Sequence, residues 1–551
     1  MSLPYAEAIL DTHEVTNQPA PFTGFNAYDA DRALVAGVKR EGGGWADQRL
    51  RALGAAAGDP EVQELARLAN RNAPELRTFD AYGRRIDLVA FHPAWHRLMT
   101  MAYGHAVHSL AWTERKKGAH VARAALSYLW NQIENGVGCP TGMSFAAIPA
   151  IRADAALAAA WEGPLLSTQY DPCPVPVAEK SSATVGMTFT EKQGGSDLRA
   201  NATRAVEGDG AYRLTGHKWF CSSPMSDVFF TLAYVGERPT CFLVPRSLPD
   251  GTRNRFFIQR LKDKCGNRSN ASSEIEFANT LAWRVGEEGR GIANAIRMAH
   301  YTRFDFIFSS AGIMRQSLGL AIHHARNRRV FQRALVDQPL MTGVLADLAL
   351  ECEAALALGL RVARALDEHD DEQAALFERL MTSVAKYWVC KRAPAFVAEA
   401  LECHGGVGFV EELPLARLYR EAPLNGIWEG SGNVICLDVL RALRRTPGCA
   451  TALFDELGRA RGADPRFDAF AAALERDLQA LVADEGRARE LTERIALAVQ
   501  AALLLRHAPD FVGTAFSATR LSDAGGRHFG ALPAGLPLRE IVERAGGPAD
   551  D

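Results

Sequence analysis

Residues 402–433 read "ECHGGVGFVEELPLARLYREAPLNGIWEGSGN". Gly405, Gly406 and Gly408 follow a helical stretch, and together they permit a tight turn and a close approach to a bound molecule. Further on, Glu429 follows Trp428 within glycine, serine and asparagine, and no other acidic residue lies between Glu421 and Asp438. A carboxylate beside an indole gains basicity where burial dries its surroundings. The alternative is a structural carboxylate paired with Arg303 or Arg420.

Working outward, the segments before this stretch are long and helical. "GIANAIRMAHYTRFDFIFSSAGIMRQSLGLAIHHARNRRVFQ" (291–332), "GVLADLALECEAALALGLRVARALDEH" (343–369) and "ALFERLMTSVAKYWVCKRAPAFVAEALECHG" (375–405) carry few breakers. Long antiparallel helices with short connections predict a bundle over residues 288–445. Ahead of it, "TVGMTFT", "VFFTLAYV" and "SSEIEFANTLAWRV" are short, rich in β-branched and aromatic residues, and bounded by turn formers. They predict a β-domain over 184–287. Residues 1–183 read as an extended arm to about residue 30 followed by a helical domain. Residues 446–551 read as an extra helical segment with an irregular tail from about 520.

The chain has 551 residues, 48% of them apolar, and a formal net charge of −3, which gives no overall basic signal for nucleic acid. Its 10 cysteines show no metal or disulfide spacing and suggest thiols in a reducing compartment. No apolar leader or bilayer-length apolar run is read, so the expectation is a cytoplasmic protein with no membrane partner. The glycine signatures of dinucleotide and P-loop folds and the paired-histidine zinc motif are missing, and no metal is expected. His323 and His324 are adjacent and read as a helix face.

Three further stretches offer candidate binding groups. "TFTEKQGGSD" (188–197) ends a predicted strand, and Gly195, Ser196 and Thr190 there suit polar atoms of a cofactor. "GHKWFCSS" (216–223) places Trp219 on a strand ahead of small polar groups. "ARNRRVFQRALVDQPL" (325–340) clusters arginines at a helix end, either as a solvated face or as a phosphate clamp.

Together these residues resemble one family, the acyl-CoA dehydrogenases, flavoenzymes that desaturate acyl thioesters. Glu402, Gly405, Gly406, Gly408, Phe409, Glu412, Arg417 and Glu421 fill its C-terminal signature. "TEKQGGSD" fits most of the N-terminal one, with Phe189 where an aliphatic residue is usual. Arg328 and Phe331 keep the family's helix-end element, but Gln332 replaces its glycine, so the chain is expected to leave that helix differently. Blocks such as "EGGGWADQRL", "RLKDKCGNRSNAS" and "CLDVLRALRR" are similar to the branch associated with the bacterial alkylation-damage response, over about residues 13 to 445.

The resemblance implies an α+β, mostly α fold: an N-terminal helical domain, a middle β-barrel or sandwich, a C-terminal four-helix bundle and the extra helical segment. It implies FAD between the β-domain and the bundle, and a homotetramer. Phe189, Thr190, Gly195, Ser196, Trp219, Phe220, Cys221 and Ser222 would line the flavin, with Trp428, Gly430, Ser431 and Asn433 nearby. Arg328, Phe331, Gln338, Gly405 and Gly406 would reach the adenine-diphosphate half from a partner chain. Glu429 would be the α-proton base for a small acyl thioester, with a backbone N–H polarising the thioester oxygen. Some members carry the base on a bundle helix, where this chain offers Asp305. The damage-response branch implies a protective role on duplex DNA, for which Arg441, Arg444 and Arg445 are the candidate contacts. A metabolic acyl-CoA dehydrogenase with no DNA role is the alternative.

Overall fold

A computed structural model describes residues 13–546. Residues 1–12 of the expected arm lie outside the described part, and 13–30 run without helix or strand. The N-terminal region then builds helices α1 (Arg32–Arg40), α2 (Asp47–Gly58) and α3 (Pro60–Arg71). Asp31 starts α1 by accepting from the Leu34 amide, and Asp59 starts α3 by accepting from Glu61 and Val62.

A hairpin follows that the helical reading did not anticipate, β1 (Glu75–Phe79) and β2 (Arg85–Ala90), paired antiparallel. The helices resume with α4 (Pro93–Gly104), α5 (Leu110–Thr113), α6 (Ala119–Trp130), α7 (Gly138–Arg152) and α8 (Ala155–Leu166).

The middle sheet holds β3 (Val185–Thr188), β4 (Arg204–Gly208), β5 (Ala211–Ser222), β6 (Val228–Val235), β7 (Arg238–Pro245), β8 (Phe256–Leu261) and β9 (Ser272–Val285). Its order is β3-β6-β4-β5-β9-β7, with β8 on β9. Because β6 also pairs with β7, the sheet closes on itself like a barrel and leaves few open edges.

The bundle is dominated by α9 (Gly291–Asn327), a helix of 37 residues. A two-residue hairpin, β10 (Arg329–Val330) and β11 (Arg333–Ala334), leads to α10 (Pro339–Asp367) and α11 (Glu372–Glu402), and then to α12 (Pro414–Glu421) and α13 (Gly432–Arg445). At the β10–β11 turn both Phe331 and Gln332 take positive φ, at 49° and 66°. The glutamine in place of the family's glycine therefore occupies the left-handed conformation that glycine adopts at least cost, and the chain leaves α9 as a tight reversal.

Helices α14 (Gly448–Gly458), α15 (Pro465–Ala483), α16 (Ala488–His507), α17 (Asp510–Arg520) and α18 (Leu538–Ala545) complete the described chain. They share one continuous apolar core with the bundle. Trp388 of α11 donates to Gln500 of α16 at 3.0 Å. The tail is irregular after α17, as expected, but it ends in α18, which Arg544 pins to Glu353 of α10 at 2.7 Å. No helix among the described residues is long and apolar enough to cross a membrane.

Candidate active site

Glu429 occupies the turn between α12 and α13 with φ +54°, a conformation that non-glycine residues rarely adopt. Gly430 follows at +112°. Strain of this kind persists where the surroundings over-determine it, and here they do. Lys386 of α11 donates to the carbonyls of Trp428 at 3.1 Å and Gly430 at 2.6 Å. Arg303 of α9 donates to the carbonyl of Glu429 itself at 2.8 Å. Three consecutive carbonyls are thus held by two buried cations.

Both cations are placed by the bundle. Arg303 is 3.4 Å from Asp438 of α13, a buried carboxylate that also accepts from Arg379, Ser383 and Arg441. Lys386 is buried at 1% exposure, and burial lowers its pKa to about 8. Trp428 is fixed on both sides: its ring stacks on Phe306 at 4.8 Å and its Nε1 donates to Asn425 at 3.0 Å.

The Glu429 carboxylate makes no ion pair or side-chain hydrogen bond among the described residues. Burial raises its pKa, and Arg303 and Lys386 pull it back in part. The structural alternative does not hold: Arg303 pairs with Asp438, and Arg420 pairs with Glu411. Asp305 is no candidate base, because it is buried against Arg123 and accepts from Ser127 at 2.7 Å.

The two β-domain stretches meet directly. The Trp219 amide donates to the Thr190 carbonyl at 2.8 Å, and Thr188 Oγ1 donates to the Phe220 carbonyl at 3.1 Å. Glu191 organises the loop between them. It is fully enclosed, bonds Lys218 at 2.7 Å, and accepts from Thr203 and the Ala202 amide. Its pKa falls to about 2, with Lys218 and these donors outweighing the burial that opposes them. Above this anchor, Gly195 and Ser196 are exposed. A Cβ on Gly195 would come within 3.1 Å of Thr190 Cγ2, so the glycine keeps the shelf open. Lys262 lies 3.5 Å from the Trp219 ring centroid.

One expected cofactor contact is corrected. Cys221 has no exposed surface, and its side chain belongs to the β-domain core. Side chains alternate along a strand, so β5 turns Phe220 and Ser222 outward and Cys221 inward. Phe189 and Trp428 both border a second apolar cluster, which contains Cys139 and Met143 of α7. Arg489 donates to the Asn433 side-chain oxygen at 2.8 Å, and Ser431 is exposed at the start of α13 without capping it.

The arginine hairpin and the glycine turn lie together at the opposite end of α9. The His324 and His404 rings meet at 4.5 Å, tilted by 36°, which joins the last turn of α9 to the residue before Gly405. Arg328 donates to the Asn17 carbonyl at 2.6 Å, and Gln338 to the Val330 carbonyl at 3.1 Å. Phe331 is 92% exposed and Phe409 76%. Arg417 and Glu421 of the same signature are buried and structural: Arg417 donates to the Ile133 carbonyl, and Glu421 accepts twice from Asn267. No group of three or more histidine, cysteine, aspartate or glutamate side chains among the described residues is placed to hold a metal ion.

Residues 17–172 match the adaptive response protein AidB N-terminal domain, 186–280 the acyl-CoA dehydrogenase middle domain and 289–444 the acyl-CoA dehydrogenase C-terminal domain. The chain is 46% identical to a putative acyl-CoA dehydrogenase AidB of Escherichia coli, over 94% of this chain and 95% of that one. The chain belongs to the acyl-CoA dehydrogenase family, in its AidB-like branch. Membership makes it an FAD-dependent oxidoreductase by family and fold. A Caenorhabditis elegans acyl-CoA dehydrogenase family member 11 is 32% identical over 69% of this chain and 64% of its own length. Among solved structures, the Caenorhabditis elegans ACDH-11 complex with C11-CoA superposes with a TM-score of 0.83 at 27% identity, covering 98% of this chain and 93% of that one. The Bd2924 apo-form gives 0.82 at 27% identity, covering 90% and 100%. Sequence reasoning named Arg303 as a partner of Glu429, though through the carboxylate and not the carbonyl, and it missed Lys386, which lies in a separate helix 43 residues before Glu429.

Proposed function

We propose that this protein desaturates an acyl thioester, with Glu429 as the base that removes the α-proton. The observation that carries this reading is the unpaired Glu429 carboxylate on a clamped, strained turn beside Trp428. FAD, when bound, accepts the hydride from the β-carbon. The chain's own groups do the rest. Glu429 takes the proton at its carboxylate, and its raised pKa makes it a stronger base than an exposed glutamate. Its amide, which makes no backbone hydrogen bond among the described residues, supplies a donor for the thioester oxygen. Trp428, Phe189 and Met143 keep water from the reacting carbons.

The shelf of Thr190, Gly195, Ser196, Trp219 and Ser222 fits a flat, hydrogen-bonding ring system, and these are the residues proposed to hold the flavin. Arg328, Phe331, Gln338, Gly405 and Gly406 cannot meet the same flavin within one protomer. From Arg303 to Asn327, α9 rises about 36 Å at ~1.5 Å per residue, beyond the reach of one FAD. The exposed Phe331, Phe409 and Leu340 at that end suit a subunit interface. A homotetramer in which each chain completes a neighbour's site accounts for both facts.

The C11-CoA bound to the ACDH-11 relative favours thioesters for this chain as well. A role on duplex DNA has less support. Arg441 is paired with Asp438, and Arg444 donates to the carbonyls of Val482 and Ala483 at the end of α15. Of the three candidate arginines, only Arg445 is both exposed and outside these contacts. The test is anaerobic addition of acyl-CoAs of graded length to the flavin-loaded protein. Bleaching near ~450 nm supports dehydrogenation; an unchanged spectrum with every thioester contradicts it.

A further inference from the structure

A cavity of about 270 Å³ lies under the N-terminal hairpin. On one side it is bounded by β2, α4 and the segment after α8, and on the other by the residue before β3 and the loop joining β5 to β6. It therefore spans the junction of the N-terminal helical region with the β-domain. None of the residues proposed above to hold the flavin or to remove the proton lines it.

The apolar wall is aromatic and rich in sulfur. The Phe91 and Trp95 rings stack at 4.8 Å, inclined by 13°, and Met99 and Met225 add thioethers. Flat rings pack well on such a surface, through offset stacking and sulfur–ring contacts.

The polar part of the lining is almost wholly spent on the protein itself. Asp227 pairs with Lys180 at 2.9 Å and accepts from the Thr184 amide and hydroxyl. Asp171 accepts from the Cys173 and Ser181 amides. Tyr170 meets His96 at 3.3 Å, and burial lowers the His96 pKa, which keeps that imidazole neutral at pH 7. Ser223 donates to the Asn270 side-chain oxygen at 2.9 Å. Ser226 is the exception. It is 3% exposed, and its buried hydroxyl has no partner among the described residues. A buried hydroxyl left unpaired is costly, and a bound molecule with one polar atom would satisfy it.

Size narrows the ligand further. An apolar cavity of about 150 Å³ holds one benzene ring. This cavity, at about 270 Å³, is nearly twice as large and has room for two fused rings.

We infer that the cavity binds a neutral, fused-ring aromatic molecule with a single hydrogen-bonding group, of the indole class. Its polar atom meets Ser226, and its rings lie against Phe91, Trp95 and the two methionines. The assignment is independent of the dehydrogenase reading, because it uses no group of that site. A nucleobase, with several polar atoms along its edges, is a poor match, since one buried hydroxyl cannot satisfy them. Because the lining comes from both sides of the domain junction, an occupant ties β2 and α4 to the β5–β6 loop.

Calorimetric titration of the flavin-loaded protein compares indole with indene, its hydrocarbon isostere, and with adenine. Indole is expected to bind with a dissociation constant below about 1 mM and to raise the melting temperature. Ser226→Ala is expected to weaken indole about three- to tenfold and to leave indene unchanged. Ala90→Phe, and Leu88→Trp from a rim position that is 37% exposed, fill the cavity and are expected to weaken both rings about tenfold or more. The inference is overturned by a wild type that does not bind indole, by an indole affinity unchanged in Leu88→Trp or in Ser226→Ala, or by adenine bound as tightly as indole. Binding that shifts the flavin absorbance also overturns it, because the ring would then lie on the flavin shelf.

Discussion

Lys386 Nζ lies 2.6 Å from the carbonyl oxygen of Gly430 and 3.1 Å from that of Trp428, so one buried ammonium brackets Glu429 from both sides. Arg303 takes the carbonyl between them. The arrangement holds three peptide oxygens on cations of the bundle and leaves the Glu429 carboxylate without an ion pair among the described residues.

Replacing Lys386 with Met removes this anchor and one of the two cations that hold the Glu429 pKa down. The expected result is slower flavin bleaching by acyl-CoA, by on the order of 10²-fold, from misplacement of the base. The acid limb of its pH profile is expected to move upward, because Glu429 without Lys386 stays protonated to higher pH. Lys386→Arg, which keeps the charge, should restore the position of the limb. A wild-type pH profile in Lys386→Met would contradict the clamp.

Asp305 and Glu429 should separate cleanly. Asp305→Asn leaves Arg123 buried without its carboxylate, which is expected to cost about 3–5 kcal/mol in urea unfolding. The pH profile of the variant's flavin reduction should match that of the wild type. A displaced acid limb in this variant would place Asp305 in the chemistry.

Acid should act on the β-domain anchor in a defined window. The folded Glu191 pKa, about 2, lies below its ordinary value of 4.5, so its contribution to stability is complete above 4.5 and is lost as pH falls toward 2. Glu191→Gln is expected to lose about 3 kcal/mol or more at neutral pH, and the gap to the wild type should narrow as pH falls through that window. A gap that stays constant in acid unfolding curves would contradict the ionic role of Glu191.

Much of this architecture can be read from the sequence, and the exceptions have physical causes. The glycine turn after α11 and the Trp428–Glu429 pair carry their signal in local spacing. The hairpin β1–β2 was hidden because its short strands, "ELRTF" and "RIDLVA", lie between strongly periodic helices. The inward turn of Cys221 follows from strand alternation once the strand's inner face is known, and composition alone does not define that face. Arg303 was already a candidate partner of Glu429, but Lys386 was illegible for a different reason: a charged residue within a long helix reads as a solvated position until tertiary packing buries it. Arg441 and Arg444 show the converse, since a basic cluster at helical spacing turned out to be largely engaged by Asp438 and by the end of α15.

On duplex DNA, the Arg441→Ala, Arg444→Ala, Arg445→Ala variant should therefore lose little. The slope of log affinity against log salt is expected to fall by about one phosphate contact, near 0.9, rather than three. Gel shifts across a salt series measure it. A loss near 2.7 would show that all three arginines reach phosphates.

The hairpin after α9 offers a test of assembly. Phe331→Asp places a charge on a side chain that is 92% exposed in the single chain, so a monomer would tolerate it. In the assembly proposed here it should yield smaller species by light scattering, with reduced FAD retention. An unchanged mass and flavin content would remove Phe331 from the interface.

The most direct measurement is single-turnover flavin reduction by an acyl-CoA in the wild type and in Glu429→Gln, under anaerobic conditions with matched FAD content. The account predicts reduction in the wild type and a fall of about 10²- to 10⁴-fold in the variant, the range expected when a general base is removed. Equal rates in the two proteins, or no reduction of the wild-type flavin by any thioester, would contradict it.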